Sequence, residues 1–393
     1  MNENKPKIRK KTNNDEWKQF KVGDLCFIST GRSNTQDKDD RGIYPFFVRS
    51  DIVEKSNKYL YDEEAVITIG DGVGTGKVYH YINGKYDLHQ RCYRMFDFNN
   101  IDPKFFYYLF SQNFYQQVMK MSAKTSVDSV RLDMIKKLEL YIPDNIDVQR
   151  FLSNMISNID SLLDKENKKL QKLKNLKSAM LTKMFPKKGS RVPEIRFKGF
   201  SGEWRFEIFG KLVTIDRGGS PRPIEDYITN DNNGLNWIKI GDAPKYGNYI
   251  TSTKEKIKFE GLSKTREVHP NDLILSNSMS FGKPYILKID GCIHDGWLLI
   301  RNDKNIFDLY YLCLLLSSNN MMEQYRSLAA GSTVNNLNKE LVSNVEVSFP
   351  TIDEQKKIGR CFNNLDSLIE KQNQKIEKLN QIKKAFIDKM FIQ

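Results

Sequence analysis

Between about Val148 and Phe185, apolar residues return every three or four positions: Leu152, Ile156, Ile159, Leu163, Leu170, Leu173, Met180 and Met184. A later stretch keeps the same phase with Ile358, Phe362, Leu365, Ile369, Ile376, Leu379, Phe386 and Met390. Two apolar positions per heptad, sustained for about five heptads, predict a coiled-coil helix in each stretch. Each would be roughly 50–55 Å long at ~1.5 Å per residue. The two stretches are copies 206 positions apart, with IDSLLDKE (159–166) returning as LDSLIEKQ (365–372) and KMF (183–185) as KMF (389–391).

Polar residues interrupt both seams at matched places, Glu166 with Gln372 and Lys177 with Lys383. Such residues select register and partner at a cost in stability. The alternative is that Leu176 and Ile382 take over locally while the lysines extend outward. The simplest partner for one helix is the other. A whole body of chain separates them, so antiparallel packing is expected.

The bodies repeat as well. Trp17, Gly23, Leu25, Ile28, Gly31 and Ser33 recur 187 positions later as Trp204, Gly210, Leu212, Ile215, Gly218 and Ser220. The lead-in Pro6, Ile8, Arg9 and Glu16 matches Pro193, Ile195, Arg196 and Glu203. Strand-like runs AVITI (65–69), KVYHYI (77–82), LNWIKI (235–240), DLILS (272–276) and WLLIR (297–301) lie between turn residues. They predict an irregular, mostly antiparallel sheet. YPFFVRSD (44–51) aligns with LNWIKIGD (235–242), setting Asp51 opposite Asp242. One helix is expected at 105–119 and one at 309–325. The fold class is therefore α+β: two pseudo-repeated mixed α/β domains separated by two long helices packed as an antiparallel coiled coil. The expected boundaries are 1–142, 143–190, 191–349 and 350–393, with Pro143, Pro350 and PKKGSRVPE (186–194) at the joins.

A net charge of +13 and a pI near 9.2 make a polyanion the first partner to consider. Five cysteines without CxxC spacing fit a reducing cytoplasm rather than a disulfide framework. No signal peptide is legible in MNENKPKIRKK, and the longest apolar run, Tyr310 to Leu316, is too short for a membrane span.

Catalytic motifs fail one after another. GDGVGTGK (70–77) has Asp71 where a Walker A loop needs glycine, and Val78 where it needs Ser or Thr. Its counterpart SNSMSFGK (276–283) keeps only Gly282 and Lys283. Thr75 breaks the dinucleotide-binding glycine pattern. Asp144 with Glu166 and Lys168 matches a metal-nuclease pattern in letters, but the last two lie inside the heptad helix. No Pro-Pro-aromatic methyltransferase motif occurs. His80, His89, His269 and His294 form no ligand set with the cysteines, so no metal site and no catalytic residues are expected.

DNA contact is better supplied. The loop after the first repeated glycine carries Arg32, Ser33, Thr35, Lys38 and Arg41, and its counterpart carries Gly219, Ser220 and Arg222, then Lys239. Arg49, Lys77 and Lys283 extend the set. Such residues neutralise phosphates, read guanine edges or position the backbone, although a plain solvated role is as good for any single one. The seam residues Leu152, Ile156, Ile159, Leu163, Leu173, Ile358, Phe362, Leu365, Ile369 and Leu379 are the candidates for helix pairing and subunit docking.

The segment GSTVNNLNKELVSNVEVSFPTIDEQKKIGRCFNNLDSLIEKQNQKIEKLNQIKKAFIDKMF (331–391) resembles the end of specificity subunits of type I restriction-modification systems. VPEIRFKGFSGEW (192–204), and the Gly-Gly-Ser-Pro loop followed by WIKIGD, resemble the start of a target-recognition domain in that family. The resemblance covers the whole chain in the order domain, helix, domain, helix. The first copy departs at Val148-Gln149, where the second has Glu354-Gln355, and in its lead-in.

The resemblance implies a non-catalytic subunit that reads a bipartite, asymmetric site on double-stranded DNA. It implies two methyltransferase (M) subunits and restriction (R) subunits as partners. S-adenosylmethionine, ATP and Mg would belong to those partners, with no cofactor on this chain. Two unlike reading heads on one spacer call for half-sites about one duplex turn (~34 Å) apart. The competing readings are a stand-alone DNA-modifying enzyme and a coiled-coil DNA-binding scaffold or regulator.

Overall fold

The computed structural model describes residues 17–122, 129–187, 189–277, 282–330 and 336–390. The first lead-in (Pro6, Ile8, Arg9, Glu16), part of SNSMSFGK and residues 331–335 lie outside the described residues. Two long helices, Ile146–Met184 and Ile352–Met390, occupy the predicted seams. The chain divides into two compact units. One holds the described residues up to Asp164 together with those from Lys378 onward. The other is Lys165–Glu377. Each unit thus contains one mixed α/β body and a stretch of both long helices.

In the first unit, a six-stranded sheet runs in the spatial order Phe27–Thr30, Cys92–Phe96, Tyr61–Ile69, Tyr79–Leu88, Tyr44–Phe47, Val53–Ser56. All its pairings are antiparallel except Tyr44–Phe47 against Tyr79–Leu88. Residues of Tyr61–Ile69 alternate faces. Val66 joins a core with Phe105, Phe106, Phe110 and Phe114, while Ala65, Ile67 and Ile69 join another with Phe47, Tyr86 and Leu88. Ile387 and Met390, from the end of the second long helix, close the first of these cores.

In the second unit the sheet is split into two five-stranded sheets. Tyr249–Ile250 runs parallel to Pro284–Leu287, and Leu235–Ile238 runs parallel to Gly291–Ile293. The latter pair is the counterpart of the parallel pair in the first unit. In both bodies a two-stranded sheet ties the opening strand to the strand just before a long helix: Trp17–Lys21 with Glu139–Pro143, and Arg205–Ile208 with Glu346–Phe349.

The body helices start alike. Asp102 caps Pro103–Met121 by accepting the Phe105 N–H at 2.8 Å, and Asp308 caps Leu309–Leu316 by accepting the Tyr311 N–H at 3.0 Å. The single helix expected over 309–325 is two, Leu309–Leu316 and Asn319–Ala330. The cause is a serine pair. Ser317 Oγ donates back to Leu314 O at 2.9 Å, and Ser318 Oγ accepts the Met321 N–H at 3.4 Å, starting a new helix.

A buried glutamine fastens each long helix to its body. Gln149 accepts the Asp102 N–H at 2.7 Å and donates to Pro143 O and Asn100 O. Gln355 does the same with the Asp308 N–H at 2.9 Å, Pro350 O and Ile306 O. The residue before each glutamine differs. Glu354 is buried and takes a two-pronged ion pair from Arg196, at 2.7 Å on both oxygens, which straps the lead-in onto the helix. Its counterpart Val148 instead joins an apolar core. The first copy therefore cannot make the same strap.

Seam residues serve the bodies as well as the helix pair. Leu152 and Ile156 are buried in the first unit's core, and Ile358 and Phe362 in the second unit's. Leu163 and Leu365 are buried, while Ile159, Leu173, Ile369 and Leu379 are half-buried. The seam lysines resolve the choice left open by sequence. Leu176 and Ile382 stay exposed, and each lysine forms an ion pair across the helices, Lys177 with Asp366 at 2.5 Å and Lys383 with Asp160 at 2.5 Å. Asp366 also accepts the Tyr310 hydroxyl, and Asp160 the Tyr108 hydroxyl at 2.9 Å. Each lysine–aspartate pair is thereby joined to the body helix of its own unit.

Candidate nucleic-acid interface

The repeated glycines are structural before they are functional. Gly31 donates its N–H to Cys92 O at 3.1 Å, and a Cβ there would lie 2.1 Å from Leu88 O. Gly218 repeats this against Trp297 O at 2.9 Å, with its Cβ position 2.2 Å from His294 O. Only glycine lets the strand pass so close to its neighbour. The following loop therefore leaves both sheets from the same anchored point.

The two serines expected to contact DNA are not surface groups. Ser33 is buried and donates to the buried Asp87 carboxylate at 2.6 Å, where Ser56 Oγ and the Leu88 N–H also converge. Ser220 Oγ is enclosed, without a hydrogen-bond partner among the described residues.

In the first body, the hairpin turn after Leu88 brings His89, Gln90 and Arg91 beside the Arg32–Ser33 backbone, whose N–H groups donate to Leu88 O at 3.1 Å. Arg49 and Arg91 both bind the Asp71 carboxylate, at 3.3 and 2.7 Å. Burial alone would raise the pKa of Asp71, but the Arg91 and Arg49 guanidiniums more than offset it and hold the carboxyl below its usual range. His89 accepts the Arg91 N–H on Nδ1 at 3.1 Å, and burial followed by Arg49 pushes its pKa down. Gln90 donates to Asn34 at 2.5 Å. Arg32, Arg49 and Arg91 are exposed, giving this face a fork-shaped donor set around one oriented carboxylate.

In the second body the matching hairpin turn carries His294 and Asp295. Gly296 donates its N–H to His294 Nδ1 at 2.9 Å, as Arg91 does to His89. Burial lowers the His294 pKa, and Lys239, Arg222 and Arg217 push the same way against Asp295. Arg217 Nε donates to Asp295 O at 3.3 Å, and Arg222 stands 4.0 Å from the Asp295 carboxylate with 83% of its side chain exposed. Gly219 passes Lys264 O too closely for a Cβ, at 2.4 Å, and its N–H donates to Ile293 O. Lys239 is turned onto Glu255.

The remaining expected residues lie elsewhere. Lys38 pairs with Asp40 and Glu54 at 3.3 and 3.0 Å, Thr35 begins a short exposed turn, and exposed Arg41 donates its N–H to Asp39. Lys77 sits over the Tyr115 ring at 4.5 Å and Lys283 over the Tyr285 ring at 4.9 Å. Their preceding glycines, Gly76 and Gly282, face body-helix tyrosines Tyr115 and Tyr325. Sequence reasoning missed Arg91, Arg217 and the two equivalent histidines. Their shared signal was an offset of 205 from His89 to His294.

Residues 14–175 and 203–381 both match the type I restriction modification DNA specificity domain. The chain belongs to that family. The specificity subunit of the type I restriction enzyme EcoDI of Escherichia coli is 21% identical over 409 residues, covering 96% of this chain and 88% of the relative. The MjaVIII specificity subunit of Methanocaldococcus jannaschii is 21% identical over 410 residues, covering 95% and 92%. The solved S subunit of a type I restriction-modification system from M. genitalium shares the fold, with a TM-score of 0.71 over 98% of both chains at 15% identity. In this specificity-domain family member, the two matched segments contain the two basic clusters and most of both long helices.

No helix among the described residues is long and apolar enough to cross a membrane. The long helices carry a second matched feature on their outward faces. Leu162 and Ile382 are exposed in the first unit, and Leu176 and Leu368 in the second. Leu162 and Leu368 are counterparts, as are Leu176 and Ile382. Beside the unmatched Phe151 and Ile352, each unit therefore presents one matched pair of exposed apolar residues, one from each helix, equivalent to the pair of the other unit.

Proposed function

We propose that this chain is the non-catalytic specificity subunit of a type I restriction-modification complex. It reads a bipartite, asymmetric site on double-stranded DNA and docks two methyltransferase subunits and the restriction subunits. The observation that carries this reading is one specificity domain twice, with the same histidine-marked turn and differently wired arginines. In the first body the orienting carboxylate is Asp71, beyond a strand end; in the second it is Asp295, within the hairpin turn. Donor forks aimed differently select different bases, since bidentate arginine contacts to guanine depend on orientation. The net charge of +13 supplies the sequence-independent attraction.

The equivalent exposed apolar pairs suit two copies of one partner. S-adenosylmethionine, ATP and Mg are held by the partner subunits, and the complex works in the cytoplasm. Base-modification sequencing of cells carrying the complex, with and without this chain, tests the reading. The expected result is a two-part, non-palindromic methylated motif that vanishes without the chain. A continuous palindromic motif, or methylation that persists without it, overturns the reading.

A further inference from the structure

When two equivalent helices pair antiparallel, one position meets its own counterpart. Here that position is Glu166 and Gln372, which occupy the same place in the repeat. The Gln372 amide donates to the Glu166 carboxylate at 2.6 Å and to its carbonyl oxygen at 3.0 Å. Lys375 Nζ holds the other carboxylate oxygen at 2.6 Å. Both Glu166 and Gln372 are buried in the seam.

The other polar contacts described across the seam behave differently. Lys177 binds Asp366 and Lys383 binds Asp160, and each residue has its counterpart in the opposite helix. Two copies of the first long helix could make the same contact, Lys177 on Asp160. The lysine–aspartate pairs thus accept any pairing of these helices. The central position does not. Two first helices would set Glu166 against Glu166, and two carboxylates forced together cannot both stay ionised without cost. Two second helices would meet as a neutral Gln372 pair, but each such pairing leaves two first helices to meet one another.

We infer that the Glu166–Gln372 inequality is a partner-selection element, which makes the first long helix take the second and reject a second copy of itself. The consequence goes beyond reading DNA: when helices exchange between two chains, pairing of two first helices, each carrying the same body, is disfavoured against pairing of a first helix with a second. Lys169 is the counterpart of Lys375. The pseudo-symmetry therefore lets the charge be moved to the other helix with a cation already in place.

Full-length variants test this directly. Gln372→Glu puts two carboxylates at the centre, and its Tm at pH 8 should fall several degrees below wild type. The gap should close toward pH 5, as one carboxyl with a raised pKa takes up a proton. The double variant E166Q/Q372E should regain most of the loss. Co-expressing differently tagged Q372E and E166Q chains makes exchange favourable, because both exchanged pairs become Glu with Gln. Two-tag purification should then recover roughly ten-fold more mixed dimer than two tagged wild-type chains give, as ~1.4 kcal/mol of preference would produce. A Q372E chain that melts like wild type at pH 8 overturns the inference. So does a double variant no better than Q372E, or a mixed yield no greater than wild type.

Discussion

Replacing Glu354 with valine would copy the first half of the chain into the second, because Val148 stands at the equivalent place. The cost can be worked from the Arg196–Glu354 pair. Glu354 has 1% of its side chain exposed and Arg196 has 15%, and both carboxylate oxygens are engaged at 2.7 Å. Removing one member of a buried ion pair costs about 3–5 kcal/mol, because the survivor stays desolvated. Arg196 keeps a hydrogen bond to Gly202 O and some solvent, so the low end, about 3 kcal/mol, applies here. For a unit of this size that is a Tm loss of roughly 6–12 °C.

Urea unfolding followed by tryptophan fluorescence would read the change, since Trp204 is buried in the core that the strap covers. The double variant R196M/E354V replaces the pair by apolar groups and should recover most of the loss. The two changes would then be strongly non-additive. An E354V chain within about 0.5 kcal/mol of wild type, or a double variant that loses the sum of the two singles, would refute the reasoning.

Arg91→Ala and Arg222→Ala should each relax one half of the methylated motif and leave the other intact. Losing a bidentate base contact costs about 1–3 kcal/mol, and motif sequencing would show it. Gly218→Ala should unfold the second body's sheet, because the new methyl would meet His294 O; loss of the near-ultraviolet circular dichroism of Trp237 and Trp297 would report it. Leu162→Glu with Ile382→Glu should cost one methyltransferase subunit of two, counted by native mass spectrometry. The Glu166 carboxyl is held below its usual pKa by the Gln372 amide and then by Lys375. Its contribution is present above the unfolded carboxyl pKa and lost as pH falls through the lowered folded value. E166Q should therefore show a shallower acid loss of Tm than wild type.

The long helices were legible because a heptad pattern reports burial directly, and the observed ends fall within two residues of the pattern read at 148–185. The ion pairs across them were not read, although Asp160 and Asp366 lie in the quoted repeat. Seeing them requires combining antiparallel order with the 206-residue offset. The broken helix at Ser317–Ser318 escaped because its leucine-rich half and its polar half each carry helical residues, and two hydroxyls decide the boundary. Of the residues expected after the repeated glycine, Arg32 and Arg222 are exposed as their place suggested, whereas Ser33 is buried and the Ser220 hydroxyl enclosed. A loop residue's direction depends on where the backbone turns, and single letters do not carry that. His89 and His294, which form no ligand set in the sequence, each accept a backbone N–H within a turn, a role that single letters do not show.

The close passage at Gly31 and Gly218 has a bearing on how new specificities arise. Since the chain is pinned to its neighbouring strand at each glycine, and Ser33 and Gly219 remain tied to the sheet, it is the exposed positions further along each loop that can vary without renegotiating the sheet beneath. Insertions or deletions there all start from one immovable point of departure. On the function proposed above, what is recognised can then change at those positions while the scaffold beneath stays as it is.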